Sequence, residues 1–302
     1  MIIEEYGKIC YSLHMKRWIV IIMILILSLE LLSGCGKKEE EEVDPHAGQV
    51  EVYDGYGYVW MTPIEGVERN TFTEDDFTMQ GDTPVYVGDA YTVLKGFDVS
   101  EFQHEINWDA LKGQNLDFVM IRCGRRGYTE GGLFEDTTFR ANMEGAKSLG
   151  LKIGVYFYTQ ATTVAEAIEE ANFVLDLIKD YDITMPVAWD WEKVDSDEAR
   201  AENLDVETLT NCTIAFCDTI KNAGYEPAIY YNRTIGYYRY DLSRLTDYTV
   251  WFSLPVTPPD VTYPSFLYKI DMWQYTISAT LPGISTEVDL DYMFIPKDNT
   301  SK

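Results

Sequence analysis

The architecture this sequence predicts is an α/β domain built on a closed eight-stranded barrel, and three observations carry the prediction. From Lys95 onward, short apolar strands alternate with segments of helical period, the pattern of parallel strands joined by crossover helices. Eight strands can be counted, and the last three follow one another without long helical segments between them. Acidic residues recur on strands far apart in sequence, mostly near their carboxyl ends, where barrel enzymes place their chemistry.

Taken in order, the chain begins with an address. Met15-Lys16-Arg17 is a positive start, Trp18 to Leu29 an apolar run, and Leu32-Ser33-Gly34-Cys35 a small-residue end. The run is short for a membrane span of about 20 residues and suits a signal-peptide core. Residues 1–35 therefore read as a lipoprotein leader, with the last four residues resembling a lipobox and Cys35 as the lipidated residue. The competing reading is an uncleaved anchor helix. Residues 36–48, with Glu39 to Glu42 in a row, form an acidic tether. Such a segment stays solvated. Residues 49–94 alternate like strands from Gln49 to Met61 and again from Pro84 to Leu94, a β-rich extension. Its cluster of Tyr53, Tyr56, Tyr58 and Trp60 is expected to serve packing rather than sugar binding.

Residues 95–296 form the expected barrel, and 297–302 a tail. Strands are predicted at Gly96 to Ser100, Phe118 to Cys123, Ile153 to Tyr158, Pro186 to Glu192, Ala228 to Asn232, Thr249 to Leu254, Lys269 to Tyr275 and Val288 to Phe294. Helices are predicted at Trp108 to Gly113, before Leu149, over Val164 to Tyr181, and near Val206 to Ala223. In the third of these, Ala167, Ala171, Val174, Leu175 and Ile178 recur at helical period and face a core.

The stretch PVAWDWE at 186–192 is the most informative. Strand side chains alternate, so Asp190 and Glu192 share one face while Trp189 and Trp191 share the other, expected to pack under helices. Two adjacent carboxyls raise one pKa, and a raised carboxyl pKa is what a general acid needs near neutral pH. With 50 acidic residues, an Asp-x-Glu pair also arises by chance; position at the end of an apolar strand distinguishes this one. The predicted strand ends carry Asp98, Arg122, Tyr158, Asp190, Glu192, Asn232 and Trp273, and Asp289 lies on the last strand.

Composition narrows the chemistry further. A formal net charge of −26 argues against nucleic acid, whose binders carry a basic face. It also leaves short-range stacking and hydrogen bonds as the means of holding any anionic polymer. Of three histidines, His14 and His46 fall in the leader and tether, leaving His104. No metal site, no cofactor and no histidine-activated nucleophile is expected, so carboxylates carry the chemistry. Cys10 and Cys35 belong to the leader; Cys123, Cys212 and Cys217 offer no disulfide framework and read as small buried hydrophobes.

Eight segments occur in the order of a known family: GFDVSEFQ at 96–103, INWDALK at 106–112, DFVMIRCG at 117–124, GVYFYTQATTVAEA at 154–167, PVAWDWE at 186–192, AGYEPAIYYN at 223–232, WQYT at 273–276 and EVDLDYMF at 287–294. Together they resemble glycoside hydrolase family 25, the muramidases often called Chalaropsis-type lysozymes. The resemblance implies a flattened TIM-like (β/α)5(β)3 barrel and cleavage of the β-1,4 bond between N-acetylmuramic acid and N-acetylglucosamine. It matches Glu192 to the general acid, Asp190 to its neighbour, Asp98 to the first-strand acid and Asp289, rather than Asp291, to the last. Tyr156, Tyr158, Tyr230, Trp273, Arg122 and Asn232 are expected around the substrate, with Trp273 and Tyr158 the preferred contacts. Around Phe252-Ser253-Leu254-Pro255 the chain departs from the family pattern.

Direct displacement requires carboxyls about 5–5.5 Å apart and inversion about 6.5–9.5 Å. A third route, favoured by the resemblance, uses the substrate's own 2-acetamido group, oriented by Asp190. The expectation is a monomeric, lipid-anchored extracytoplasmic muramidase acting on peptidoglycan. A catalytically silent glycan-binding lipoprotein on the same barrel is the alternative, and a metal-dependent deacetylase is disfavoured by the missing histidines.

Overall fold

Two hairpins precede the barrel. Strands β1 (Val50–Tyr53) and β2 (Tyr58–Met61) pair antiparallel, as do β3 (Phe77–Gln80) and β4 (Thr83–Tyr86). Each apolar stretch of the extension thus splits where the sequence turns: Asp54 to Gly57 breaks the first, and Gly88-Asp89 separates β4 from the next strand. The computed structural model describes residues 44–297 apart from 195 and 197. The expected leader, its lipidated Cys35, most of the tether and the tail beyond 297 lie outside the described residues.

Strands β5 (Tyr91–Val99), β6 (Phe118–Arg126), β8 (Lys152–Tyr158), β9 (Val187–Asp190), β10 (Pro227–Asn232), β11 (Thr249–Ser253), β12 (Met272–Ala279) and β13 (Val288–Pro296) close into an eight-stranded barrel; β7 (Leu133–Glu135) adds to the edge of β6. Pairing is parallel from β5 through β12, and β13 runs antiparallel to both its neighbours. This is the TIM-like barrel the alternation predicts. Helices α1 (Phe139–Leu149), α2 (Val164–Ile178) and α3 (Val206–Asn222) cover the middle strands, and a six-residue α4 (Arg233–Tyr238) follows β10. Thr163 and Asp205 cap α2 and α3 by accepting from Glu166 N–H and Thr208 N–H, and Gly150 ends α1 in the left-handed region, each the residue type its position favours. The first predicted helix is only a 3-10 turn, Trp108–Leu111.

Alternation divides the apolar residues into two cores. Phe118, Met120, Tyr156, Ala188, Ala228, Trp251 and Met272 fill the barrel interior, while Val119, Ile121, Val155, Phe157, Trp189 and Phe216 pack between barrel and helices. Gly96 and Gly154 make the interior possible, because a Cβ there would collide with the Phe118 ring or the Met120 sulfur.

Among the described residues no helix covers the last strands, and the extension takes that place. Phe72 and Phe77 are buried with ring centroids 4.4 Å and 6.2 Å from Phe294, and Phe77 lies 5.5 Å from Trp273. Tyr292 donates its hydroxyl to the Pro84 carbonyl at 2.6 Å. Burying a Phe side chain contributes roughly 1.5–3 kcal/mol, so this aromatic arm does for β12 and β13 what helices do elsewhere. Cys123, Cys212 and Cys217 are buried and free.

Candidate active site

Above the apolar floor of the barrel the inward-facing positions turn polar. At the carboxyl ends of the parallel strands a cavity of about 210 Å³ is lined by Asp98, Asp190, Glu192 and Asp289, with Arg122, Tyr156, Tyr158, Tyr230, Trp251 and Gln274. Register explains the convergence. Tyr158, Asp190 and Tyr230 are level with one another across β8, β9 and β10, and Asp289 is paired with Asp98 across β13 and β5. Glu192 lies two residues beyond the end of β9, so the strand is shorter than predicted. It still reaches the cleft, while Trp189 and Trp191 are fully buried on the other side.

The carboxyls are held in an environment that favours their neutral forms. Burial raises Asp98 well above the usual carboxyl range, and the charges of Asp289 and Asp291 push it further. Burial also raises Asp190, with Glu192 adding to it. Glu192 is exposed as a residue, yet its carboxyl stands in the crowded concave mouth, and the loss of hydration there raises its pKa too. Asp289 is pushed up to about 6, by burial first and by Glu192 next. The Glu192 charge adds to the effect of burial on Asp190, so the two carboxyls titrate as a pair, and retaining one proton between them relieves the repulsion.

Gln274 joins the opposite wall. Its Nε2 donates to Asp98 Oδ2 at 2.9 Å and to Asp289 Oδ2 at 3.0 Å; its Oε1 accepts from Tyr230 Oη at 2.9 Å and Ser253 Oγ at 2.8 Å. Two donors and two acceptors use the full capacity of an amide, and the hydroxyls on one side and carboxylates on the other fix which way it faces. Below it, the fully buried Asp291 accepts the Trp251 indole N–H at 2.8 Å, and burial raises its pKa well above the usual range.

Arg122 lines the cleft, but its guanidinium is already engaged, donating from Nε to Asp136 at 2.7 Å and from Nη2 to Glu101 at 2.9 Å. It lies 4.9 Å from the exposed Phe102 ring at the rim. Its positive charge lowers the Asp190 pKa only against the larger effects of burial and Glu192.

Two expected substrate contacts are not in the cleft. Trp273 is fully buried on the outer side of β12, its indole N–H donating to the Leu254 carbonyl at 2.8 Å and its ring under Phe77. Strand parity is the reason: the neighbouring Gln274 takes the inward position, and Trp251 is the tryptophan that lines the cavity. Asn232 caps α4, its side chain accepting from Ile235 N–H at 3.0 Å. His104 lies outside the lining, closing the short turn after Glu101–Gln103. Sequence reasoning overlooked Gln274, Trp251, Ser100, Phe102 and Gln103, all lining residues. A lone glutamine inside the apolar run Met272 to Tyr275 was the available signal for Gln274. Among the described residues, no group of three or more His, Cys, Asp or Glu is arranged to hold a metal ion.

Barrel and cleft together define a TIM-like barrel protein with a four-carboxylate mouth. The family model for glycosyl hydrolases family 25 matches residues 97–284, and the chain belongs to that family. It is 27% identical over 202 residues to an autolytic lysozyme of Clostridium acetobutylicum, a match that covers 66% of this chain and 55% of that protein. The chain thus spans about half the length of that relative. Among solved structures, the modular autolysin LytC from Streptococcus pneumoniae, determined with a synthetic peptidoglycan ligand, superposes with a TM-score of 0.58 at 24% identity, covering 81% of this chain and 56% of LytC. A family 25 glycosyl hydrolase from Bacillus anthracis superposes with a TM-score of 0.55 at 21% identity, covering 69% of this chain and 91% of its own. At those identities the likeness speaks for the fold.

Proposed function

We propose that the protein is a peptidoglycan hydrolase of the lysozyme type, cleaving the β-1,4 bond between N-acetylmuramic acid and N-acetylglucosamine. The observation that carries this reading is the convergence of Asp98, Asp190, Glu192 and Asp289 on one cavity. Glu192, at the mouth, gives its proton to the glycosidic oxygen as the bond to the anomeric carbon breaks. The substrate's 2-acetamido oxygen attacks that carbon from the other side, with Asp190 accepting the amide N–H and orienting it. Water then opens the cyclic intermediate, and Glu192 takes back a proton. Asp98 and Asp289, tethered through Gln274, shape the far wall of the sugar site.

The test is Glu192→Gln. Hydrolysis of purified peptidoglycan, followed as turbidity loss and release of reducing ends, is expected to vanish while the thermal transition persists. Retained hydrolysis would remove Glu192 from the acid role, and a parent chain that binds wall without cleaving it would favour the silent glycan-binding alternative. Chelator is expected to leave the rate unchanged.

The same proposal includes location. The positive start, apolar run and Leu32-Ser33-Gly34-Cys35 support an extracytoplasmic protein anchored to the membrane through lipid on Cys35. Labelled fatty acid should enter the parent chain in bacterial cells and be absent from Cys35→Ala.

A further inference from the structure

The β1–β2 hairpin carries apolar or aromatic side chains on both of its faces. Its inner face, with Val50, Val52 and Met61, packs against the core of the barrel domain. Its outer face is aromatic. Tyr53 and Tyr58 are directly paired across the strands, and Trp60 is paired with Glu51; Tyr56 occupies the turn. They are 42%, 74%, 45% and 82% exposed, respectively, for Tyr53, Tyr58, Trp60 and Tyr56. The sequence reading assigned these rings to packing, and the structure turns them outward. An exposed cluster of aromatic rings marks an interaction surface.

The hairpin is also rigidly mounted. The buried Asp54 carboxylate accepts Tyr56 N–H at 2.7 Å and Gly57 N–H at 2.9 Å, and takes the Tyr238 hydroxyl. Thr234 donates its hydroxyl to the Asp54 carbonyl at 3.1 Å. Arg233 lies 5.3 Å from the Tyr53 ring and donates to both oxygens of Ser265. Every one of these anchors belongs to α4 or to the turn itself, Ser265 apart. Since α4 starts three residues after the cleft residue Tyr230, the aromatic face stands on the β10 side of the mouth. A surface fixed before binding loses little freedom on binding.

We propose that the outer face of this hairpin is a docking platform for a glycan strand, continuing the cleft beyond the bond to be cleaved. This rests on the reading of the cleft as a glycan site. Ring faces suit the apolar faces of neutral N-acetylhexosamine units, and Tyr hydroxyls with Glu51 supply polar partners for their hydroxyl and amide groups. Charge selects among partners: Glu51 on the platform and a net charge of −26 repel anionic lipid surfaces, whereas a neutral sugar face meets no such penalty.

The experiment uses the full chain carrying Glu192→Gln, so that the polymer is not consumed, with and without Tyr56→Ala and Tyr58→Ala together. Both tyrosines are exposed, and the thermal transition should not move. Co-sedimentation with purified peptidoglycan, and affinity for a six-unit N-acetylglucosamine oligomer, are expected to fall roughly tenfold in the hairpin variant. In the chain with Glu192 intact, the same tyrosine changes should leave hydrolysis of a short soluble substrate unaltered. Binding within twofold of the parent would overturn the platform while leaving the cleft reading intact. With Cys35→Ala in both chains to remove the lipid, loss of flotation with anionic vesicles on the tyrosine changes, wall binding being kept, would overturn it in favour of a lipid surface. An inactive parent chain that still shows the tenfold difference would sink the hydrolase and keep the platform.

Discussion

Two acidic regions of this molecule are built from the same residue types and are partnered in opposite ways. Behind the barrel, the acids of α2 are matched by arginines. Arg126 donates to buried Glu170 at 2.7 Å and to Glu169 at 2.6 Å, Arg200 reaches Glu166 at 2.6 Å, and Thr159 completes Glu170 at 2.6 Å. In the cleft, by contrast, Asp98 and Asp289 share one neutral amide, Asp190 Oδ1 lacks a hydrogen-bond partner, and the nearest arginine is already held by Asp136 and Glu101. Burial lifts Glu170 as well, to about 7, while its threonine and arginine partners pull the other way, and its ties make it structural. An acid packed beside other acids without a cation of its own keeps a proton, and that proton is what glycosidic cleavage requires.

The largest effect expected from breaking this contrast is on catalysis: Glu192→Gln should lower wall hydrolysis by about 10³-fold or more, measured as reducing-end release at pH 6 to 7. On the matched side, Arg126→Met should cost roughly 3–5 kcal/mol of unfolding free energy, because it strands Glu170 as a buried uncompensated carboxylate; urea denaturation reads this directly. Gln274→Glu converts the amide bridge into a fifth carboxyl. It should reduce hydrolysis about 10²-fold and cost roughly 2–3 kcal/mol, since two carboxylates lose donors and gain a repulsive neighbour.

Acidity should read out the buried carboxyls directly. The cleft carboxyls have folded-state pKa values above their unfolded ones, with Asp289 at about 6, so the folded protein binds more protons than the unfolded chain between about pH 4 and 6. Their unfavourable contribution is full above that window and is relieved as pH falls through it. The cleft thus adds to a thermal midpoint that rises by ~2–4 °C between pH 7 and 5, an increment that Asp98→Asn with Asp289→Asn should reduce without removing, since burial also raises Asp190 and Glu170. The smallest effect belongs to Asp291→Asn. Burial favours the protonated form of this carboxyl beside the Trp251 indole, which an amide closely imitates, so stability should change by less than about 1 kcal/mol and hydrolysis by less than threefold. A larger loss would mean that Asp291 is ionised and belongs with the working acids.

Much of the site was legible because acids mark strand faces. On β5, β9 and β13 a carboxylate identifies the inward side, and alternation assigns the remaining residues. On β12 no acid does so, and Trp273 and Gln274 compete on equal terms; choosing the aromatic residue chose the wrong face. Asn232 misled for a different reason, since a strand-end asparagine reads alike as a ligand contact and as a helix cap. The aromatic hairpin was legible as a strand-like stretch but neither in its turn nor in its orientation, because Val50, Val52 and Met61 compete with Tyr53, Tyr58 and Trp60 for the buried side.

The sequence by itself determined the strand-helix alternation, the absence of helices from the last three units, and a chemistry resting on carboxylates in a chain with so few histidines. These are properties of local pattern and composition, which need no knowledge of what lies across a gap. Only the tertiary structure decided which parity of β12 faces the cleft, that Gln274 bridges Asp98 and Asp289, that an aromatic arm replaces the missing helices, and that the first hairpin shows its rings to solvent. Each of these depends on which surface a strand meets when the sheet closes, and closure joins residues whose separation in the chain carries no record of their contact.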